Sequence, residues 1–148
     1  MGSFAVITGS SSGIGQAITI KLLEEGYTVI GLSRHHKRSK LSHERYHTRV
    51  LDLSDIQKVD EVAVDILKSY PEINVLVCSA GYGDFKNLEN FSHSQIQKFF
   101  NVNLLSHIIL CRHIVTGMKK LGQGDIFLLG SEAALVGKRK ATLYSSAK

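Results

Sequence analysis

The chain has no tryptophan, a single proline and two cysteines in 148 residues, and aromatic residues make up only 7%. Each shortage excludes something. Two cysteines without a CxxC spacing build neither a disulfide-stapled scaffold nor a cysteine-rich zinc module. Cys78 and Cys111 both sit in apolar runs, where reduced core thiols are expected. With Pro71 as its one proline, the sequence contains no proline-rich linker, and it shows no internal repeat or low-complexity segment. No continuous apolar stretch has the length a bilayer demands. The opening MGSFAVITGSSSG lacks the charged start and long apolar core of a secretory signal, and Val6 stands where a myristoylation motif needs Ser or Thr. A cytoplasmic protein with no membrane partner is expected.

What is present is an ordinary globular composition, 43% hydrophobic and 21% charged, with a net charge of +5 that favours anionic partners. The length suits one domain spanning 1–148. FAVIT at 4–8 is a short apolar run closed by glycine, the pattern of a buried strand. Ile14, Ala17, Ile18, Leu22 and Leu23 follow at helical spacing, and Gly26 stops that helix. Further strands are predicted over 27–33, 46–53, 73–80 and 124–130. Between them lie a helix over 55–69 capped by Ser54, a short helix from Ser92, a long one over 102–119 and a last one from about Leu143. Strands alternating with helices imply a Rossmann-like, doubly wound parallel α/β sheet with helices on both faces, its strands apolar on both sides. A dinucleotide fold of this type has six strands. Five are found, so its C-terminal strands are expected to be missing.

TGSSSGIG at 8–15 falls between the first strand and the first helix. Glycines there let the backbone approach a pyrophosphate, and the helix N-terminus offers unpaired N–H groups and a partial positive charge. Gly9, Ser11, Ser12, Gly13, Ile14 and Gly15 are the candidate phosphate-binding residues, with the Ser10–Ser12 hydroxyls as extra donors. A strand–helix turn without a ligand would carry the same glycines.

The spacing TGxxxGIG resembles the short-chain dehydrogenase/reductase family, and other matches run along the whole chain. Cys78-Ser79-Ala80-Gly81 falls where the family has Asn-Asn-Ala-Gly. Asn103, Ser131, Tyr144 and Lys148 fall on its asparagine, serine and YxxxK positions, with Tyr144 following Ser131 by 13 residues. The resemblance implies Ala80 and Gly81 against the cofactor, and Asp52 and Leu53 flanking the adenine. It also implies a lysine that binds the nicotinamide ribose, an asparagine that holds a relay water, and a homo-oligomer built around the long helix. One departure is that Cys78 and Ser79 lack the amides that brace the family's central sheet. Another is Glu132, a charge beside the serine.

An acidic residue at the end of the second strand would hold the ribose 2′-hydroxyl of NAD. Here Ser33 and Arg34 occupy that place, and a guanidinium there can grip a 2′-phosphate. NADP(H) is therefore the expected cofactor. The surrounding His35, Lys37, Arg38 and Lys40 enlarge the positive field, though the last three read best as a solvated loop. The cluster has little aromatic interleaving and no nucleic-acid module, so no nucleic-acid partner is expected.

The chemistry follows from the residue types. A carbonyl that accepts hydride needs a proton and a partner for its developing charge. An unperturbed tyrosine is a poor acid at neutral pH, and an ammonium on the same helix face, as Lys148 is to Tyr144, favours its phenolate. Ser131 can donate to the substrate oxygen. The expected activity is NADP(H)-dependent interconversion of a carbonyl and an alcohol on a small-molecule substrate. The alternative is a truncated, inactive NADP-binding remnant or regulatory module. No metal is expected: His107 and His113 are six apart, off a common helix face, and no zinc-like spacing occurs.

Overall fold

The computed structural model describes residues 2–36 and 41–148. Lys37, Arg38 and Lys40, expected in a solvated loop, lie outside the described residues. Five strands form one sheet: β1 (Phe4–Thr8), β2 (Thr28–Ser33), β3 (Tyr46–Val50), β4 (Ile73–Cys78) and β5 (Asp125–Leu128). They pair in the order β3-β2-β1-β4-β5, and every pairing is parallel. Five α-helices connect or follow them: α1 (Gly13–Glu24), α2 (Ile56–Ser69), α3 (His93–Phe100), α4 (Ser106–Leu121) and α5 (Thr142–Ala147). The strand order reverses at β1. The chain winds outward through β2 and β3, then crosses back to β4, and a crevice opens where the connections diverge.

The period-2 alternation of the strands assigns each residue to a face. Val6, Ile30, Leu76 and Cys78 point to one side, where Val59, Ala63 and Ile66 of α2 and Leu110, Ile114 and Met118 of α4 cover them. Ala5, Ile7, Val29, Val75 and Val77 point to the other and pack with Leu23 of α1. This is the doubly wound parallel sheet expected. β5 departs from the expected two-sided burial. It is an edge strand, and Ile126, Phe127 and Leu128 are exposed, because among the described residues only β4 pairs with it.

Several boundaries differ for local reasons. β3 ends at Val50 rather than 53, and β4 at Cys78 rather than 80. At β4 the next two N–H groups leave the ladder: Ser79 and Ala80 both donate to Thr8 Oγ1, each at 3.0 Å. Ser54 does not cap α2. Its N–H and hydroxyl bind Asp52 Oδ1 at 2.9 and 2.8 Å, and Asp55 caps instead, accepting from Lys58 N at 3.0 Å. A carboxylate is the stronger acceptor at a helix N-terminus. The short helix expected from Ser92 starts at His93, and Ser92 caps it in a reciprocal box with Gln95.

The long helix is not uniform. A π-helical turn, Asn101–Leu105, joins α3 to α4. Together they make a helical run, His93–Leu121, of 29 residues that is long and apolar enough to cross a membrane by composition. No apolar stretch of that length stands out letter by letter, because Asn101, Asn103, Ser106 and His107 interrupt it. Part of its apolar surface is used internally, since Phe99, Leu110 and Ile114 are almost wholly buried against the rest of the fold, while Leu105 and Ile108 are exposed.

Candidate functional site

The glycine turn sits at the carboxyl end of β1, and its geometry depends on glycine at particular places. Gly9 and Gly13 take left-handed φ values of +71° and +54°. Gly15 is required for a different reason: a Cβ there would stand 2.4 Å from the Gly9 carbonyl oxygen, so α1 packs directly on the strand end. The Gly9 N–H donates to Leu32 O at 2.8 Å, fixing the turn to β2. Ser10 is fully buried, and Tyr46 Oη donates to its hydroxyl at 2.9 Å. Gly31 makes room for this pair, since a Cβ there would fall 2.3 Å from Ser10 Oγ. Ser12 precedes α1 with extended backbone and no side-chain cap, which leaves the first N–H groups of that helix facing the crevice.

The crevice is a cavity of about 680 Å³. Every candidate cofactor residue lines it: Gly9, Ser11, Ser12, Gly13, Ile14, Gly15, Ser33, Arg34, Asp52, Leu53, Ala80 and Gly81. His35 of the basic segment and Ser79 of the CSAG stretch line it too, as do Tyr82, Lys98 and Val102, which the sequence did not single out. Lys98 and Val102 stand four apart on adjoining helical turns, a spacing that could have placed both on one face. At the β2 end, Ser33 Oγ lies 3.1 Å from His36 Nδ1, and His36 Nε2 lies 2.7 Å from Arg49 O. This ties the start of the basic loop to β3 and leaves Arg34 exposed at the rim. Hydrogen bonds from Ser54 hold the Asp52 carboxyl below its usual range, with smaller contributions from Arg34 and Lys98.

The second group of candidates gathers beyond Gly81. Asn103 is buried in the π-helical turn. Its Nδ2 donates to Phe99 O at 3.0 Å, and its Oδ1 accepts from Tyr82 N at 3.1 Å. Lys148 Nζ donates to Leu129 O at 3.0 Å and stands 5.9 Å from the centre of the Tyr144 ring. A Cβ on Gly81 would meet Asn103 Oδ1 at 2.8 Å and Lys148 Nζ at 3.2 Å, so this glycine lets both polar groups converge. Tyr144 lies against Phe85, with ring centres 5.4 Å apart. Ser131 follows β5 and opens a short 3-10 turn, its hydroxyl accepting from Ala133 N at 3.2 Å. Glu132 turns outward and pairs with Lys138.

One polar residue went unrecognised in the sequence. His107 of α4 is 7% exposed, and its Nε2 lies 3.3 Å from Thr8 Oγ1, the same hydroxyl that accepts from Ser79 and Ala80. With two N–H groups already donating to it, the Thr8 hydroxyl gives its own proton to a neutral imidazole. Burial, reinforced by the nearby Lys148 charge, pushes the His107 pKa down to about 4, against a weaker opposing bond with the Asn103 backbone. The imidazole is thus joined to the end of β1, through the Thr8 hydroxyl to the N–H groups that follow β4, and to the Asn103 backbone of the π-helical turn. His113 is used differently, 2.7 Å from Asp60 of α2.

A family model described as short chain dehydrogenase matches residues 3–148. The chain belongs to this family. Among its relatives, a probable short-chain type dehydrogenase/reductase, VdlC of Helicobacter pylori, is 34% identical over 97% of this chain and 54% of its own. An NADPH-dependent 3-dehydrocapnine reductase of Ornithobacterium rhinotracheale is 30% identical over 98% of this chain and 55% of its own. The solved structure of ElxO with NADP bound superimposes with a TM-score of 0.87 at 28% identity, covering 99% of this chain and 62% of that one. The chain therefore spans little more than half the length of the curated relatives it matches. In this chain the crevice at β1 and the cluster around Gly81 lie side by side, because Gly81 lines the crevice and faces Asn103 and Lys148.

Proposed function

We propose that residues 1–148 form the NADP(H)-binding unit and carry the proton-transfer residues of an oxidoreductase that interconverts a carbonyl and an alcohol. The observation that carries the reading is the convergence of Asn103 and Lys148 on Gly81, where the crevice of the glycine turn ends. The residues present fit a dinucleotide. The uncapped α1 N-terminus and the glycine backbone at 9–15 suit a pyrophosphate. Asp52 and Leu53 suit the adenine end, and Arg34 suits a 2′-phosphate. Lys148 suits the nicotinamide ribose. When bound, the cofactor supplies or accepts the hydride.

The chain's own groups manage the proton and the charge. Tyr144 Oη gives its proton to the substrate oxygen as negative charge develops there, and takes it back in the oxidative direction. The Lys148 ammonium, steered by Leu129 O, stabilises the phenolate left behind. Because Ser131 Oγ accepts from Ala133 N, its proton is directed elsewhere, toward the substrate oxygen. Asn103, held by Phe99 O and Tyr82 N, positions the water that returns a proton to the lysine. The substrate is a small carbonyl or alcohol. The protein acts in the cytoplasm as a homo-oligomer, with the exposed side of α4 as the contact.

The test is NADPH and NADH titration of the whole protein followed by a screen of ketones and aldehydes. Tighter binding of NADPH with turnover of a carbonyl is the expected result. Tighter binding of NADH overturns the role of Arg34. NADPH binding with no turnover across the screen replaces the enzyme with a nucleotide-binding regulatory module.

A further inference from the structure

Cys78 closes β4 and Cys111 lies on α4, 33 positions later in the sequence, yet both line one cavity of about 330 Å³. Cys111 packs against the core cluster that contains Cys78. Cys78 is 1% exposed, while Cys111 is only partly buried. The same cavity is lined by Asn103, His107 and Lys148, so the thiols sit behind the proton-transfer cluster rather than in the dinucleotide crevice. Nothing in the proposed reaction uses them, and the fold does not need two thiols there, since an apolar residue of similar size fills such positions.

We propose that Cys78 and Cys111 form a dithiol that reacts with hydroperoxides, Cys111 being the thiol attacked and Cys78 the one that resolves it to a disulfide. Accessibility sets the order, because Cys78 is almost wholly buried while Cys111 is only partly so. The directions of their acidity agree with it: interaction with Cys111, together with burial, holds the Cys78 thiol protonated, and interaction with Cys78 shifts Cys111 toward the thiolate. In the first step the Cys111 sulfur attacks the O–O bond and takes one oxygen as sulfenic acid, releasing an alcohol, or water from hydrogen peroxide. In the second the Cys78 sulfur attacks the Cys111 sulfur, the S–S bond forms, and hydroxide leaves with the Cys78 proton as water. Two thiols are oxidised by two electrons and one peroxide is reduced. Cys111 lies one helical turn beyond His107, and Cys78 directly precedes the N–H groups that hold Thr8. The disulfide therefore links the two ends of the His107 brace covalently.

The test uses the whole protein, treated with a small excess of tert-butyl hydroperoxide and then with N-ethylmaleimide, and read by intact mass and peptide mapping. The expected product has lost two hydrogens, carries no maleimide on Cys78 or Cys111, maps as a Cys78–Cys111 disulfide and reverts with dithiothreitol. In Cys78→Ala, Cys111 is expected to stop at sulfenic acid, captured by dimedone. In Cys111→Ala, Cys78 is expected to stay reduced at the same dose. Both thiols remaining alkylatable in the wild-type protein would overturn the proposal, as would oxidation of Cys78 at the wild-type rate in Cys111→Ala. The wild-type mapping decides the matter even where a variant fails to fold. It is independent of nucleotide binding, so its failure leaves the reductase reading standing.

Discussion

The two ends of the candidate site are built to different standards. At the β1–α1 end, polar groups are buried and interlocked. Thr8 and Ser10 are fully buried, and Thr8 serves Ser79, Ala80 and His107 at once. At the β5–α5 end, the strand is exposed along its length, and Leu128, Leu135 and Val136 stand 65%, 88% and 65% exposed. Yet this looser end carries Ser131, Tyr144 and Lys148. In the proposed reading the β1–α1 end meets a nucleotide of one fixed shape, which an interlocked backbone cradle suits. The reaction end holds its polar atoms through a few anchors, namely Leu129 O for Lys148 and Ala133 N for Ser131.

The strongest way to sharpen this contrast is to separate chemistry from binding. Tyr144→Phe in the whole protein should lower kcat by roughly 10²- to 10⁴-fold, the span of a lost general acid, while NADPH affinity by fluorescence titration stays unchanged. Equal losses in both would mean that Tyr144 shapes the crevice instead. At the other end, Gly15→Ala should abolish measurable NADPH binding and lower stability by about 1–3 kcal/mol, the range of an overpacked site. Its Cβ would meet immobile backbone 2.4 Å away. Urea unfolding of the variant measures it.

The His107 brace gives a pH signature. The folded imidazole takes its proton near pH 4 and the unfolded one near 6.5, so between these values the unfolded chain binds more protons. Stability from this group is complete above pH 6.5 and falls as the pH drops toward 4, by roughly 3 kcal/mol in all. His107→Asn should flatten that part of the stability–pH curve, measured by urea unfolding between pH 7.5 and 4. A variant as acid-sensitive as the wild type would place the sensitivity elsewhere.

A smaller effect is expected at the rim. Arg34→Ala should weaken NADPH by about 1.5–3 kcal/mol, the worth of hydrogen bonds to a charged group, and leave NADH nearly unaffected, as calorimetric titration of both would show. The smallest belongs to the exposed pair beyond Ser131: Glu132→Gln should leave the thermal midpoint where it was, because Lys138 and Glu132 meet in solvent.

Much of this was legible in the sequence, for reasons that differ by residue. The strands were readable because short, almost uniformly apolar runs followed closely by small residues and glycine are distinctive, as in 4–8 and 73–78. The glycine turn was readable because TGSSSGIG falls between an apolar run and a helical pattern, where left-handed and closely packed backbone needs glycine. Ser54 was misread as a cap because Asp52, two residues earlier, competes for its hydroxyl. His107 was invisible because its partner lies 99 residues away on β1, and nothing in HIIL hints at that distance. The exposure of β5 was equally hidden, since DIFL reads as a buried strand wherever it stands in the sheet.

The sequence by itself determined the order of elements, their faces, and the residue types able to bind phosphate and move a proton, because these depend on local spacing and intrinsic chemistry. Only the tertiary structure decided which of them meet. It folded Cys78 toward Cys111, His107 onto Thr8, and Asn103 and Lys148 onto Gly81. Long-range contacts are set by how helices seat on a twisted sheet, and no local pattern records that seating.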